Sequence, residues 1–327
     1  MKTQWGEKPY RSLDYELRRR YGEKIYKLSL NGGMTCPNRD GHLGTRGCIF
    51  CSAGGSGDFA ASPQLSVQAQ IELQKKNLAG KFPAKHYIAY FQAYTNTYAP
   101  TPYLEDLFTQ AIRHPDIVGL SIGTRPDCLP EDVCDLLANL NRQKPVSVEL
   151  GLQTIHPRTA AFIRRGYPLS CFEEAKDRLR KRGLETVVHT ILGLPGESRD
   201  DILETIRYLN HADIQGIKLQ LLHVLSGTDL AAYYEDPGFP VMTQDEYVDL
   251  VIACLEHLSP DITVHRLTGD GPKELLIAPL WSTRKTAVLN QIHHEMKERG
   301  TWQGRLVTIQ TVPEHFAAQV RKNMIQV

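Results

Sequence analysis

The chain reads as an α/β protein whose parallel strands wind into a barrel or partial barrel. Short β-branched or aromatic runs alternate with longer amphipathic stretches from residue 24 to about 267, the pattern of successive βαβ units. LSIG and VELGL read as buried strands, whereas LFTQAI repeats its apolar residues at helical spacing. Right-handed crossovers coil such units around one axis.

In chain order, residues 1–23 form a basic N-terminal extension and residues 24–280 the core barrel. Strands are expected at KIYKLSL (24–30), HYIAYFQA (86–93), IVGLSIG (117–123), VSVELGL (146–152), TVVHTIL (186–192), GIKLQLLHV (216–224) and ITVHRL (262–267). Helical patterns fill the gaps at 66–78, 105–114, 131–142, 171–183 and 199–212. Residues 281–327 break the alternation and form a C-terminal basic extension, a helix followed by a short extended tail. The 327 residues would allow two ordinary domains, but no linker or internal repeat divides them, so one domain with terminal additions is expected.

Composition narrows the class. With 41% hydrophobic and 23% charged residues the chain is no disordered segment. No run approaches the ~20 apolar residues of a membrane span, and no apolar segment at the N-terminus marks a secretory signal, so a cytoplasmic, membrane-free protein is expected. Seven cysteines, an odd number and thinly spread apart from one cluster, do not make a disulfide framework. Net charge is only +1, yet residues 1–30 carry eight Lys/Arg against four Asp/Glu and residues 281–327 seven against three. Basic ends around an acidic middle suit a polyanion; they equally suit two solvated helices.

The cysteine cluster follows the first strand, in NGGMTCPNRDGHLGTRGCIFCSAGGSGDF. Eleven residues separate Cys36 from Cys48, and two separate Cys48 from Cys51. Three thiolates on one glycine-rich loop can hold three corners of a cubane cluster and leave one iron open for a small ligand. The alternative is a tetrahedral structural zinc, which needs a fourth ligand within the loop; His42 is the local candidate.

On these residues the chain resembles the radical S-adenosylmethionine (SAM) superfamily, whose barrel carries a three-cysteine loop after its first strand. The C-I-F-C ending, with Phe50 before the last cysteine, is similar to that pattern. The eleven-residue gap departs from the usual three and is nearer the Elongator-catalytic-subunit-like branch. VELGLQT is similar to the E-x-G-x-Q segment of the Elongator-like and coproporphyrinogen-dehydrogenase-like members, and HTILGLPGES to their I-x-G-L-P-G-E segment. Residues 24–280 carry the resemblance, and the whole chain looks like one bacterial subfamily.

The resemblance implies a partial parallel (β/α)6 barrel of radical SAM type, flanked by short N-terminal and C-terminal helical extensions. It implies a [4Fe-4S] cluster on Cys36, Cys48 and Cys51, and SAM as the second cofactor. Gln153 would meet the SAM ribose, Glu149 would point into the barrel, and Arg165 would hold the SAM carboxylate through its planar fork; Arg164 and Arg165 read otherwise as a solvated helix face. Gly193 would approach the adenine, and His189 stands where relatives have a ribose-binding acid. The Gly-Gly-Glu that usually follows strand two is absent, leaving Gln92, Thr95, Asn96 and Thr97 as candidates there. Thr124, Arg125 and Asp127 follow strand three; Cys128 and Cys134 read as structural.

Substrate contacts are expected after the last strand, where His265, Arg266, Asp270, Lys273, Trp281, Arg284 and Lys285 surround a turn-rich link. A cation with an aromatic there suits a nucleotide or phosphate. Tyr90 and Tyr94 share one strand face, as core or as a stacking platform. The implied reaction is reductive cleavage of SAM to a 5′-deoxyadenosyl radical that abstracts hydrogen from substrate, with electrons from a donor such as flavodoxin or ferredoxin. The branch implies tRNA, at a wobble-uridine side chain, as substrate. Two alternatives stand beside it: a small metabolite such as a porphyrin precursor, and a non-catalytic zinc-stabilised RNA-binding or adaptor protein.

Overall fold

The computed structural model describes residues 5–55, 57–79, 84–269 and 271–307. In chain order the elements are α1 (Leu13–Tyr21), β1 (Tyr26–Leu30), α2 (Val67–Ala79), β2 (Tyr87–Phe91), α3 (Thr101–Ile112), β3 (Ile117–Thr124), α4 (Glu131–Asn141), β4 (Val146–Gln153), α5 (Pro157–Phe162) and α6 (Leu169–Lys181). Then follow β5 (Glu185–Leu192), α7 (Arg199–Asn210), β6 (Gly216–Leu221), β7 (Val224–Leu225), α8 (Asp229–Glu235), α9 (Gln244–His257), β8 (Thr263–Arg266), β9 (Leu276–Ala278) and α10 (Lys285–Glu298).

Strands β1 to β6 lie side by side in sequence order, each parallel to the last, and β8 pairs with β6 at the far edge. The sheet curls into a half-barrel. It has seven strands where the resemblance implied six, because the extended run near 262–267 stays in register with β6. The run expected as one strand over 216–224 is interrupted: β6 ends at Leu221, and β7 turns away to pair antiparallel with β9. The tail beyond 307 lies outside the described residues.

The convex face is the core. All five residues of β2 are buried, so this strand is covered on both sides as a parallel strand is. Phe91 of β2 and Phe108 of α3, both fully buried, meet edge to face at 5.0 Å. Helix starts are fixed where they matter for the concave side. Ser198 caps α7 through Asp201 in a reciprocal capping box, which holds the LPGE turn after β5 in place, and Thr243 caps α9 with Glu246 in the same way.

The N-terminal extension closes the barrel's lower end. The backbone N–H of Val264 in β8 donates to the Arg11 carbonyl, and α1 faces residues at or before strand starts, among them Pro145, Glu185 and Thr263. The two basic ends touch: Tyr10 bonds His293 at 2.9 Å, and Gln303 bonds Pro9 and Arg11. Much of their charge is spent locally, in Arg11–Glu16, Arg18–Asp14, Arg19–Glu16, Arg299–Asp249 and Arg305–Glu256. Among the described residues no helix is long and apolar enough to cross a membrane.

The packing makes a direct prediction. Phe91→Ala, which empties a fully buried site between sheet and α3, costs about 3–5 kcal/mol, whereas Leu280→Ala at a largely exposed position costs under about 0.5 kcal/mol. Urea midpoints of the two variants check the contrast.

Candidate functional site

A cavity opens at the C-terminal ends of the strands. One part is lined by Cys36, Cys48 and Cys51 with residues from β2 to β5; the other reaches Lys218 of β6 and Arg266 of β8. Phe50, Tyr90, Gln92, Gln153 and His189 line both, so the two are one continuous space.

The cysteine loop is held from inside. Arg39 donates to the carbonyls of Cys51 at 2.8 Å and Ser52 at 2.6 Å, and the Asn38 amide donates to the Arg164 carbonyl at 2.8 Å and reaches the Cys48 sulfur at 3.5 Å. The loop docks on the turn after β2: a Cβ on Gly57 would lie 2.4 Å from the Cβ of Ala93, and the Tyr94 hydroxyl donates to the Ala53 carbonyl. Burial pushes the Cys48 thiol up to about 11, so it holds its proton at neutral pH until a metal's charge displaces it.

This geometry decides between the two metal readings of the loop. Groups whose ligand atoms all lie within 4.8 Å of one another are, among the described residues, Glu72 with His114 and Asp116, and His156 with Asp201 and Glu204; the three cysteine sulfurs are spread wider. One tetrahedral zinc would draw its sulfurs to about 3.8 Å, from Zn–S bonds of about 2.3 Å, while a cubane places a separate iron at each thiolate. His42 is exposed and lines a separate hollow with Pro37, Leu43 and Tyr98, away from Cys48 and Cys51. The zinc alternative therefore loses its fourth ligand.

The cavity wall beside the loop carries unmet polar atoms. Asn96 donates to the carbonyls of Ala93 and Gly123, but its Oδ1 is buried without a partner, as is the hydroxyl of Thr95. Buried acceptors left open are costly. They stand where the Gly-Gly-Glu is missing, and Ala93 and Tyr94 there both have positive φ, at 82° and 59°. Thr124 shares a 2.5 Å bond with Thr97, and Gln153 enters the cavity from a left-handed backbone with φ 63°.

Other expected contacts are placed differently. Arg165 is 2% exposed, so it is no solvated helix face. It lines the cavity, yet Nε donates to the Tyr167 carbonyl and one terminal nitrogen to those of Leu152 and Thr154, clamping the end of β4. Arg125 is tied to Asp127 and to the Arg165 carbonyl. Gly193 is in a left-handed turn beside Met242 and does not line the cavity.

Of the seven residues expected around the turn-rich link, Arg266 is the one among the described residues that lines the cavity. His265 points toward the closed lower end with Lys27 and Thr263, because neighbouring residues of a strand face opposite ways. Trp281 packs on Tyr247, ring centroids 5.4 Å apart, and donates to the Met242 carbonyl. Lys273 is exposed, and Lys285 begins α10. Asp270 lies outside the described residues.

Beneath the cavity is a layer that sequence reasoning largely missed. The Glu149 carboxylate, fully buried, accepts from Lys27 at 2.6 Å and Ser121 at 2.7 Å on one oxygen, and from His189 at 2.6 Å and Lys218 on the other. Lys218 also reaches the Tyr90 hydroxyl at 3.2 Å. Burial opposes the charge of Glu149, but Lys218 and Lys27 prevail and hold its carboxyl well below the usual range. Burial, against the pull of Glu149, brings Lys218 down to about 7, and burial with the Lys218 charge brings His189 down to about 4. His189 is thus a neutral imidazole at pH 7. A lysine in the middle of the apolar runs IYKLSL and GIKLQL is the signal that marks this layer, since a charge is placed inside a barrel only with a partner.

A parallel half-barrel with a three-thiolate loop above β1 and a polar cavity at its strand ends defines a class of cluster-binding barrel. Residues 41–209 match the Radical SAM superfamily and residues 214–298 the Radical SAM C-terminal domain. The chain belongs to the radical SAM superfamily, an enzyme family whose cofactors are a [4Fe-4S] cluster and SAM.

It is 47% identical over 299 residues to YtqA of Bacillus subtilis, covering 91% of this chain and 93% of that one. It is 26% identical over 174 residues to a Dehalococcoides mccartyi protein named tRNA uridine(34) acetyltransferase, 52% of this chain and 37% of that one. The Methanocaldococcus infernus Elp3 structure superposes with a TM-score of 0.65 at 16% identity, over 85% of this chain and 64% of that one.

Cys48→Ala leaves one corner of the cluster without a thiolate, while Cys128→Ala alters a buried thiol outside the loop. After anaerobic reconstitution, iron content and the brown cluster absorbance should collapse in the first variant and persist in the second.

Proposed function

We propose that this chain is a radical SAM enzyme that modifies tRNA at the side chain of a wobble uridine. The observation that carries the enzyme assignment is the continuous cavity, with three cysteines at one end and a polar wall at the other. Cys36, Cys48 and Cys51 would hold the cluster. The open oxygens of Thr95 and Asn96 would accept from the SAM ammonium, and Gln153 and His189 would face its ribose. Bound there, the pair supplies one-electron cleavage of SAM and hydrogen-atom abstraction from substrate. The chain's own part is to orient the reacting groups and keep water away from them.

The tRNA assignment rests on relatives: half the chain is similar to a tRNA uridine(34) acetyltransferase. A small-metabolite substrate is the second reading, favoured by one observation. Among the described residues much of the charge on the basic ends is ion-paired, and α1 lies across the lower end of the barrel, away from the cavity mouth.

Reconstituted enzyme given dithionite and SAM should form 5′-deoxyadenosine, and Cys48→Ala should form none. Total tRNA from a deletion strain should lack one wobble-uridine nucleoside and accumulate its precursor, restored by the wild-type gene. Unchanged tRNA nucleosides alongside active SAM cleavage would remove tRNA and leave the metabolite.

A further inference from the structure

The hollow that holds His42 has a volume of about 760 Å³ and lies outside the cavity, against its cysteine end. Among the described residues the two spaces share no lining residue, yet a single layer of side chains divides them. Pro37 lines the hollow and its neighbour Cys36 the cavity; Thr97 of the hollow bonds Thr124 of the cavity at 2.5 Å. The walls are apolar at Pro37, Leu43, Pro100, Leu129 and Pro130, and Leu43 on the cysteine loop is 50% exposed. Arg178 of α6 also lines the hollow. Its Nε is buried without a partner, and its side chain makes no ion pair among the described residues. The acids near it are taken: Asp177 pairs with Lys176, and Glu131 and Asp135 pair with Arg182. Asp127, the acid on the hollow itself, is gripped by Arg125 at 2.9 and 2.6 Å.

We propose that this hollow is the docking surface for an acidic, one-electron-donating protein, with Arg178 receiving a carboxylate of the donor and Leu43 packing against its apolar centre. The inference rests on the radical SAM reading of the cavity but not on tRNA as substrate. A half-buried guanidinium without an anion is costly, and a partner's carboxylate would meet it in a strong, charge-assisted bond. Arginine beside exposed apolar side chains is also the composition of a contact surface. The position selects the partner. An electron needs proximity and no passage, so a donor seated here would stand beside Cys36 and leave the cavity free for SAM and substrate. Redox encounters are small and transient, which suits a shallow hollow. RNA would call for a row of cations, whereas this surface offers one guanidinium among prolines and leucines.

The test uses reconstituted holoenzyme and, as probe, a bacterial flavodoxin of net negative charge. The step it reads is electron transfer alone: the flavin hydroquinone anion becomes the neutral semiquinone, the oxidised cluster gains one electron, and no bond forms or breaks. Oxidised flavodoxin should bind wild type, and Arg178→Glu and Leu43→Asp should each weaken its Kd at least about tenfold. Flavodoxin hydroquinone, below saturation, should bleach the cluster absorbance slower by the same factor in both variants. Lys76→Glu, the same change of charge at an exposed site on α2, should behave as wild type. Added chloride should weaken wild-type binding, and Arg178→Glu should lose part of that dependence. Dithionite, too small to need a docking surface, should bleach all four proteins alike, which separates docking from a damaged fold or cluster.

Equal Kd values and bleaching rates in wild type and both variants would overturn the docking surface, as would a wild type that flavodoxin neither binds nor reduces. Displacement of flavodoxin by tRNA, with tRNA binding lost in Arg178→Glu, would overturn it in favour of an RNA contact. Without 5′-deoxyadenosine from dithionite and SAM, the radical SAM reading itself falls. Normal turnover with dithionite and unchanged reduction by flavodoxin removes the docking surface alone.

Discussion

The half-barrel is organised around one carboxylate. Glu149 on β4 draws Lys27 from β1, Ser121 from β3, His189 from β5 and Lys218 from β6, with Tyr90 of β2 packed against Lys218. Each of the first six strands thus contributes one side chain to a single polar layer. Backbone pairing fixes each strand only to its neighbours, whereas this layer ties strands across the concavity and sets how tightly the sheet curls. Two ammonium groups on one buried acid hold together only while the acid is ionised, and those cations keep it ionised.

Above that layer the chain accepts local strain. Among the described residues five other than glycine have positive φ, and four of them, Ala93, Tyr94, Gln153 and Arg164, belong to the strand ends and turns around the cavity. Each costs of order 1 kcal/mol. They turn the backbone sharply at the ends of β2 and β4, so that Gln153, Thr95 and Asn96 face the space beside the cysteines rather than continue the sheet. The clamp of Arg165 on the carbonyls of Leu152, Thr154 and Tyr167 keeps one of those turns from relaxing. Arg165, expected to grip a ligand, holds the backbone through Nε and one terminal nitrogen while it also lines the cavity.

The strands were legible because a parallel strand buried on both faces is written as a solid apolar run, and the cysteine loop because three thiols in sixteen residues have few uses. The pieces that were not legible depend on tertiary facing. ITVHRL shows that 262–267 is extended, but not that His265 turns to the lower end while Arg266 turns to the cavity. WSTRK places an aromatic next to cations; only the packing of α9 shows that Trp281 is taken up by Tyr247. The excess charge of the ends is visible in the sequence, whereas its pairing with Asp14, Glu16, Asp249 and Glu256 is a property of the fold.

Lys27 and Lys218 were readable and were passed over, since a lysine within an apolar strand is already a statement about function. An apolar floor of similar volume would make a more stable barrel, because desolvating an ion pair often outweighs its mutual attraction. Keeping two lysines, an acid and a histidine there works against stability, and such departures gather where a site needs them. The layer separates two spaces of different character. Below it, His265 has both ring nitrogens buried and unpartnered among residues of the closed end; above it, His189 and Lys218 face a cavity that leads to the cluster loop. A floor made of fixed charges, rather than of methyl groups, gives the reacting end a permanent field at no reorganisation cost.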